Sequence, residues 1–297
     1  QLSFCSPGLL GSQASFKKNF ALPIDRDRDR EAAELLRKLI HPFVLRRTKV
    51  QVAQELPDKT ETVIYCEMGA SQRKLYDKLK RKIKEDIDAE LVKKGFQKSR
   101  FKILDGLLRL RQMCNSPLLL NQSFQEQKAQ SVKIDILLQH LTEELDHHSA
   151  LVFSQFVGFL SLVRRELDQR GIPYAYLDGA TVRRREEVER FMEDQEVQIF
   201  LISLKAGNTG LNLTKADYVY ILAPWWNPAV ESQAIDRTHR IGQDKNIFAY
   251  KLICKDSIEE KILKLQERKK ELSTDIIRTD EHAFKSLSKA ELLDLFK

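Results

Sequence analysis

The sequence predicts an α/β protein in which a parallel sheet is flanked by helices, a mainly helical region precedes the sheet, and further helices follow it. Three observations carry this. From residue 131 onward, short apolar runs rich in Val, Ile, Phe and Tyr alternate with segments whose apolar residues recur every three or four positions, as expected of strands buried on both faces between amphipathic helices. Before residue 125 the helical spacing dominates and one strand-like run is seen. The chain has 297 residues, 42% of them apolar, enough for an ordinary core in two domains or one large one.

The opening "PGLLGSQASFKKNFALP" strings Pro7, Gly8, Gly11 and Pro23 through short aromatic pieces that make no core alone; it reads as the cut end of something larger. Leu35, Leu36, Leu39 and Ile40 fit a helix that stops before Pro42. "TVIYCEM", 62–68, reads as a strand. Ser71 is placed to cap a helix in which Leu75, Leu79, Ile83, Ile87 and Leu91 recur every four residues amid many charges, a narrow stripe that predicts a half-covered, projecting helix. A further helix, "FKILDGLLRLRQMCN", ends at Pro117, and the polar "NQSFQEQKAQ" reads as a linker.

The alternating half then runs in order. A helix carries Ile134, Leu137, Leu138, Leu141 and Leu145; "ALVFSQF" is a buried strand; a helix on Phe159, Leu160, Val163 and Leu167 closes at Gly171. "YAYLD" (strand), "TVRRREEVERFM" (helix), "VQIFLIS" and "YVYILA" (strands), "AVESQAIDRTHR" (helix) and "NIFAYKLI" (strand) follow. Ser257 with Glu260 three residues on makes a capping box for a last long helix, and "LSKAELLDLFK" fits a short amphipathic one. The expected domains are 1–125, 126–255 and 256–297.

Lys and Arg outnumber Asp and Glu by 50 to 43, a net +7 with pI near 9.1, which tilts the partner toward an anion. Cys5, Cys66, Cys114 and Cys254 lie far apart without zinc spacing and read as reduced core thiols. No apolar run approaches the ~18 residues of a membrane span, and no signal peptide opens the chain, so an intracellular protein with no membrane partner is expected.

In open parallel sheets, ligands bind beyond the carboxyl ends of the strands, and three of those ends carry polar residues that a plain core does not need. Ser154 and Gln155 end the first; Asp178, Gly179 and Thr181 end the second; "ISLKAGNTGLNLTKAD" follows the third, with Gly207 and Gly210 for close backbone approach and Ser203, Lys205, Thr209, Asn212 and Thr214 as donors. Gln233, Arg237 and Arg240 stand at i, i+4 and i+7, on one face of a predicted helix that Gly242 terminates. As a solvated face such arginines contribute roughly 0 to 1 kcal/mol each; on a transferring phosphoryl group one is worth about 10³ to 10⁵ in rate. His239, on another face, reads as a packing or hydrogen-bonding residue. Trp225 and Trp226 suit a base or sugar, with one expected in the core.

With these residues in view, 131 to about 275 resembles the second RecA-like lobe of a Swi/Snf-type ATPase, a branch of the superfamily 2 helicases. "ALVFSQF", "YLDGAT", "ISLKAGNTGLNLTKAD" and "ESQAIDRTHRIGQ" resemble its motifs IV, IVa, V and VI in order and spacing, and "DSIEEKILKLQERK" the helix after them. "PGLLGS", "HPFVLRRTK", "LPDKTETVIYCEM" and "LRLRQMCNSPLLL" resemble the end of the first lobe and the protrusions between lobes. One departure is Asn208, where the family usually has a second glycine; Asn tolerates the left-handed region, so the loop is expected to survive.

The resemblance implies an ATP-dependent translocase on double-stranded DNA. ATP and Mg2+ would be held mainly by a first lobe of the same polypeptide, since no Gly-x-x-x-x-Gly-Lys-Ser/Thr loop occurs here. Arg237 and Arg240 would be arginine fingers; Gln233, Gly210 and Asn212 would line the ATP cleft; Ser154, Gln155, Gly179, Thr181, Ser203, Lys205 and Thr214 would face the nucleic-acid backbone. A DNA-bound protein would be the object remodelled, and no metal ligands are expected in this half. The rival readings are a binding module without ATPase activity and a strand-separating helicase.

Overall fold

The computed structural model describes residues 5–24, 29–43, 55–120, 131–145, 147–207, 210–272 and 289–296. The polar stretch 121–130, Asn208 and Thr209 lie outside them. The chain divides into two compact units, Gln1–Glu55 and Leu56–Lys297.

In the first unit a short helix, Gln13–Phe16, starts at Ser12, whose hydroxyl accepts from the Ser15 N–H at 3.2 Å. Helix α1, Arg30–Ile40, starts at Asp29, whose carboxylate accepts from the N–H groups of Glu31 and Ala32, so two of the unpaired donors of the first turn are satisfied. It stops two residues before Pro42, as the apolar spacing predicts.

The second unit is built on a six-stranded sheet of β1 (Lys59–Cys66), β2 (Ala150–Ser154), β3 (Tyr174–Leu177), β4 (Ile199–Ser203), β5 (Tyr218–Ile221) and β6 (Ile247–Cys254). The order is β1-β6-β5-β2-β4-β3, and every pair is parallel. Side-chain alternation divides the core in two. Val152, Leu201, Tyr220 and Leu252 pack with α3 (Val132–Glu144) and α4 (Val157–Gln169) on one face. Leu151, Phe153, Phe200, Ile202 and Val219 pack with α5 (Arg184–Glu193) and α6 (Pro228–Ile235) on the other. This is the RecA-like, doubly covered sheet expected from the sequence.

One element joins this sheet from ahead of the expected 125/126 boundary. β1 pairs with β6 over eight residues, from Lys59↔Ile247 to Cys66↔Cys254, so the division of contacts falls at 55/56 instead. Nothing local marks this: a parallel partner almost 190 residues away leaves no trace in the strand's own text.

Helix α2, Ala70–Asn115, follows β1 and is broken at Gly95 (φ 71°, ψ 172°). The second limb folds back on the first, with a Cβ built on Gly106 only 2.5 Å from Ile83 Cγ2. The stripe Leu75, Leu79, Ile83 and Ile87 is therefore buried against Ile103, Leu107 and Leu110, not half covered as its width suggested. Leu292, Leu295 and Phe296, on and just after α8 (Lys289–Asp294), close the same core behind α7 (Ile258–Leu272). In the predicted capping box, Ser257 Oγ accepts from the Glu259 N–H and the Glu260 carboxylate accepts from Asp256 N–H, one residue outside the usual position. Among the described residues no helix is long and apolar enough to cross a membrane.

A buried polar network ties α2, α3, α7 and the loop after β5 together. The Lys133 ammonium is fully buried, pairs with the Glu259 carboxylate at 2.7 Å, and donates to Asn115 Oδ1 and the Leu222 carbonyl. Burial, the largest single influence, favours release of its proton, but Glu259 and the neighbouring cysteines together outweigh it and raise its pKa. Arg111, also buried, lies over the rings of Phe156 and Trp226 and donates to the Pro224 carbonyl. Its guanidinium holds the base of α2 to the loops that follow β2 and β5.

Candidate functional site

The carboxyl ends of β2, β4 and β3 lie side by side, with Ser154 opposite Ser203 and Leu177 opposite Ile202. The sequence-predicted residues of the loops after these strands therefore emerge on one edge of the sheet. What each side chain does there differs from residue to residue.

Ser154 and Ser203 were expected to face a nucleic-acid backbone, and the structure corrects both. Ser154 is fully buried; its Oγ accepts from the Phe156 N–H at 3.0 Å and turns the chain into α4. Ser203 is also buried, and its Oγ accepts from the Ala206 N–H at 3.3 Å, opening the short helix Leu204–Gly207. Ser203, directly before its helix, takes an unpaired first-turn donor, while Ser154 closes a turn on Phe156, the residue that precedes α4. These serines shape loops; Lys205 and Gly179 are the exposed residues. Gln155 is half-buried, with Nε2 lacking a hydrogen-bond partner.

The loop after β3 is a closed hydrogen-bonded turn. Thr181 Oγ1 accepts from the Asp178 N–H at 2.9 Å and donates to Asp178 Oδ1. That carboxylate also accepts from the Ala180 N–H and the Tyr176 hydroxyl. Burial pushes the Asp178 carboxyl up, but these donors prevail and hold it below the usual carboxylate range.

The predicted helix carrying Gln233, Arg237 and Arg240 on one face is cut short. α6 begins with Asn227 as cap and Pro228 at its first position, and ends at Ile235. Two interactions end it. Thr238 Oγ1 donates to the Ile235 carbonyl at 2.8 Å, and the Arg237 carbonyl accepts from the Leu213 N–H at 3.1 Å. The first occupies a carbonyl that the helix would use, and the second spends another on the loop after β4. Gln233 is thus exposed on the helix, while Arg237 and Arg240 sit on the turns after it, and Gly242 takes φ 97° beyond them. Gln243, to which the motif reading gives no role, binds this arrangement: buried, its Nε2 donates to the carbonyls of Thr214, Ala216 and Thr238. Its place directly after Gly242 is the one hint in the sequence.

Arg237 is 7% exposed. Among the described residues it makes no ion pair, and its Nε has no hydrogen-bond partner. Burial first, then the neighbouring Arg240 cation, lowers its pKa, with Asp236 opposing. Arg240 is half-buried and Nη1 reaches the Leu211 carbonyl at 3.4 Å. Gly210 (φ 53°) and Asn212 are exposed on the same loop. Ile241 stands 87% exposed beside the arginines. His239 Nε2 meets the Pro57 carbonyl at 2.9 Å, the hydrogen-bonding role expected of it. Trp225 and Trp226 are both half-buried, each packed on a different side of the sheet. The arrangement sets two neighbouring guanidiniums, one of them buried and without an ion pair among the described residues, beside a loop of exposed glycine and asparagine.

A second cluster joins Cys114 Sγ, Cys254 Sγ and a Glu259 oxygen within 4.8 Å of one another, all buried. Lys133 already neutralises Glu259. Burial holds the Cys114 thiol well above its ordinary range and pushes Cys66, the strand partner of Cys254, up to about 12, so Cys114 is a neutral thiol poorly suited to bind a cation. Cys5, by contrast, is exposed, unlike the core thiol expected.

Comparison with known proteins matches the SNF2-related domain over residues 2–119 and the helicase conserved C-terminal domain over 132–242. A Bacillus subtilis protein carrying the name putative ATP-dependent helicase/translocase YwqA is 38% identical over 99% of this chain and 32% of its own length. The Saccharomyces cerevisiae TATA-binding protein-associated factor MOT1 is 31% identical over 99% of this chain and 19% of its own. The chain therefore spans a third or less of the length of these relatives. The Sulfolobus solfataricus SWI2/SNF2 ATPase core in complex with dsDNA superposes with a TM-score of 0.65 at 32% identity, covering 98% of this chain and 61% of that one.

Proposed function

Because the chain belongs to the Swi/Snf-type branch of the superfamily 2 helicase-related ATPases, we propose that it forms the second lobe of an ATP-dependent translocase on double-stranded DNA. Arg237 and Arg240 would complete an ATP site whose phosphate-binding loop and Mg2+ ligands belong to a first lobe. The observation that carries this reading is the buried Arg237 guanidinium, which makes no ion pair among the described residues, since a desolvated cation that no carboxylate pairs is costly unless an anion arrives. The residues present fit the terminal phosphates of a nucleotide; among the described residues no cluster of carboxylates at this rim fits the metal, which the other lobe would hold.

The chemistry required of this half is electrostatic. Closing the lobes would bring the two guanidiniums against the charge that develops on the transferring phosphoryl group, and reopening would withdraw them. Gln233, Gly210 and Asn212 would line the cleft. Lys205, Gln155, Gly179, Thr181 and Thr214 would meet the DNA backbone, with Ser154 and Ser203 shaping their loops; contacts of this type fix register without reading sequence. Duplex DNA as the partner is supported by the S. solfataricus core, which is bound to dsDNA. A DNA-bound protein as the object moved is supported by the yeast relative, a TATA-binding protein-associated factor by name.

The test is Arg240→Ala in the full-length protein. DNA-stimulated ATP turnover is expected to fall by about 10³ or more, with duplex affinity largely retained. Turnover at the wild-type rate would remove the finger assignment.

A further inference from the structure

The charge of the chain is concentrated in one element. Helix α2 carries 14 Lys and Arg against 6 Asp and Glu, a net +8, while the whole chain totals +7. All other residues together are therefore slightly acidic. The excess lies in two runs: 73–84 holds seven cations and one acid, and 93–102 holds five cations and none. The acidic residues 85–90 separate them. Lys74, Lys78, Arg81, Lys82, Lys84 and Lys98 are exposed and enter no ion pair among the described residues; Lys94 and Lys102 share Glu90 at 2.8 and 3.9 Å.

The limb is firmly mounted. Gln72 Nε2 donates to the carbonyls of Met113 and Cys114, Arg73 to those of Lys255 and Asp256, and the Tyr76 hydroxyl accepts from the Ile258 N–H. This base stands at the β1 and β6 end of the sheet. From β1 the strand-end rim begins at β2, three strand spacings or roughly 14 Å away, and runs on to β3, five spacings away. The two surfaces do not share residues.

We propose that the runs 73–84 and 93–102 form a second binding surface, which takes the phosphodiester backbone of duplex DNA apart from the strand-end rim. A twelve-residue run extends about 18 Å along its helix, and a duplex offers one charge per ~1.7 Å of axis against it. Nine of the twelve cations are Lys, compact charges on flexible stems that can neutralise successive backbone phosphates without a fixed bidentate geometry, as sequence-independent binding to a duplex requires. The surface goes beyond the ATP-cleft reading and does not depend on it.

The experiment measures binding of a 40-base-pair duplex (about four helical turns) by the full chain across a salt series. Wild type is compared with a hairpin variant, Lys78→Gln, Arg81→Gln, Lys82→Gln and Lys84→Gln combined, and a rim variant, Lys205→Ala. The hairpin variant is expected to bind at least about tenfold more weakly at low salt, with the slope of log K against log salt reduced by about 2 to 4. Its melting temperature should match wild type, since all four positions are exposed on the outer side. An unchanged slope and affinity would overturn the proposal, even if Lys205→Ala weakens binding and so supports the rim. Competition by polyglutamate at an equal charge concentration as effective as the duplex itself would also overturn it, in favour of an acidic protein. A photocrosslinker on Lys98→Cys should label the duplex; labelling only from the rim would count against the hairpin.

Discussion

Two buried cations in this molecule live under opposite conditions. Lys133 is inaccessible to water and has a carboxylate at 2.7 Å, an amide oxygen and a carbonyl around it. Arg237 is also buried, yet among the described residues it makes no ion pair and has an unpartnered Nε. The first arrangement is finished and holds four elements together. The second is the site proposed above to meet the nucleotide phosphates. Burial of charge by itself therefore says little about function; what matters is whether the surrounding chain has already answered it.

The difference can be broken by substitution, and the largest effect should come from the Arg237 site. Arg237→Met in the full-length protein should lower DNA-stimulated turnover by about 10³, while denaturant unfolding shows stability unchanged or raised by about 0.5 to 2 kcal/mol. A parallel loss of stability would place Arg237 among the structural cations instead. At the finished site, Lys133→Met strands the Glu259 carboxylate and should cost about 3 to 5 kcal/mol, and adding Glu259→Leu should recover much of it. A double variant no better than the single one would contradict the pairing.

The contrast also has a pH signature. Lys133 and Lys251 have raised pKa values, the latter through Glu231 against the opposing cost of burial. A raised value means that the folded state holds the proton more tightly, so this stability is complete below the ordinary lysine value of 10.5 and fades as pH rises through the folded ones. Urea midpoints should fall between about pH 10 and 12, and less steeply in Lys251→Met. The smallest change belongs to the rim: Thr181→Ala removes both side-chain bonds with Asp178 and should cost about 1 to 2 kcal/mol. Because the Asp178 carboxyl is held low, its contribution is present above the ordinary carboxylate value and disappears as pH falls through the folded one, a loss the variant should show at milder acidity.

The sheet is legible from sequence because buried strands leave continuous apolar text. "IFLIS" and "YVYI" are strands with every residue buried. The rim is legible for a related reason, since polar residues after such runs have nowhere to go but the carboxyl edge. The uses of those residues are not. Ser154 and Ser203 resemble ligand contacts in a motif, and only the positions of Phe156 and Ala206 reveal the first as a turn and the second as a cap. The end of α6 depends on Leu213, more than twenty residues upstream, claiming the Arg237 carbonyl; local periodicity carries no record of that bond. Lys133 and Glu259 do not stand out either, because each is an ordinary charged residue near a helix start, made special by a partner 126 positions away.

The break at Gly95 has a practical corollary. A side chain added there would meet nothing within 4 Å, and the β1–β6 pairing is secured by residues far from it in space and in sequence. New polypeptide spliced in at that bend would leave the strand register untouched, so the tip is the natural graft point for a fluorophore-bearing loop or an accessory module.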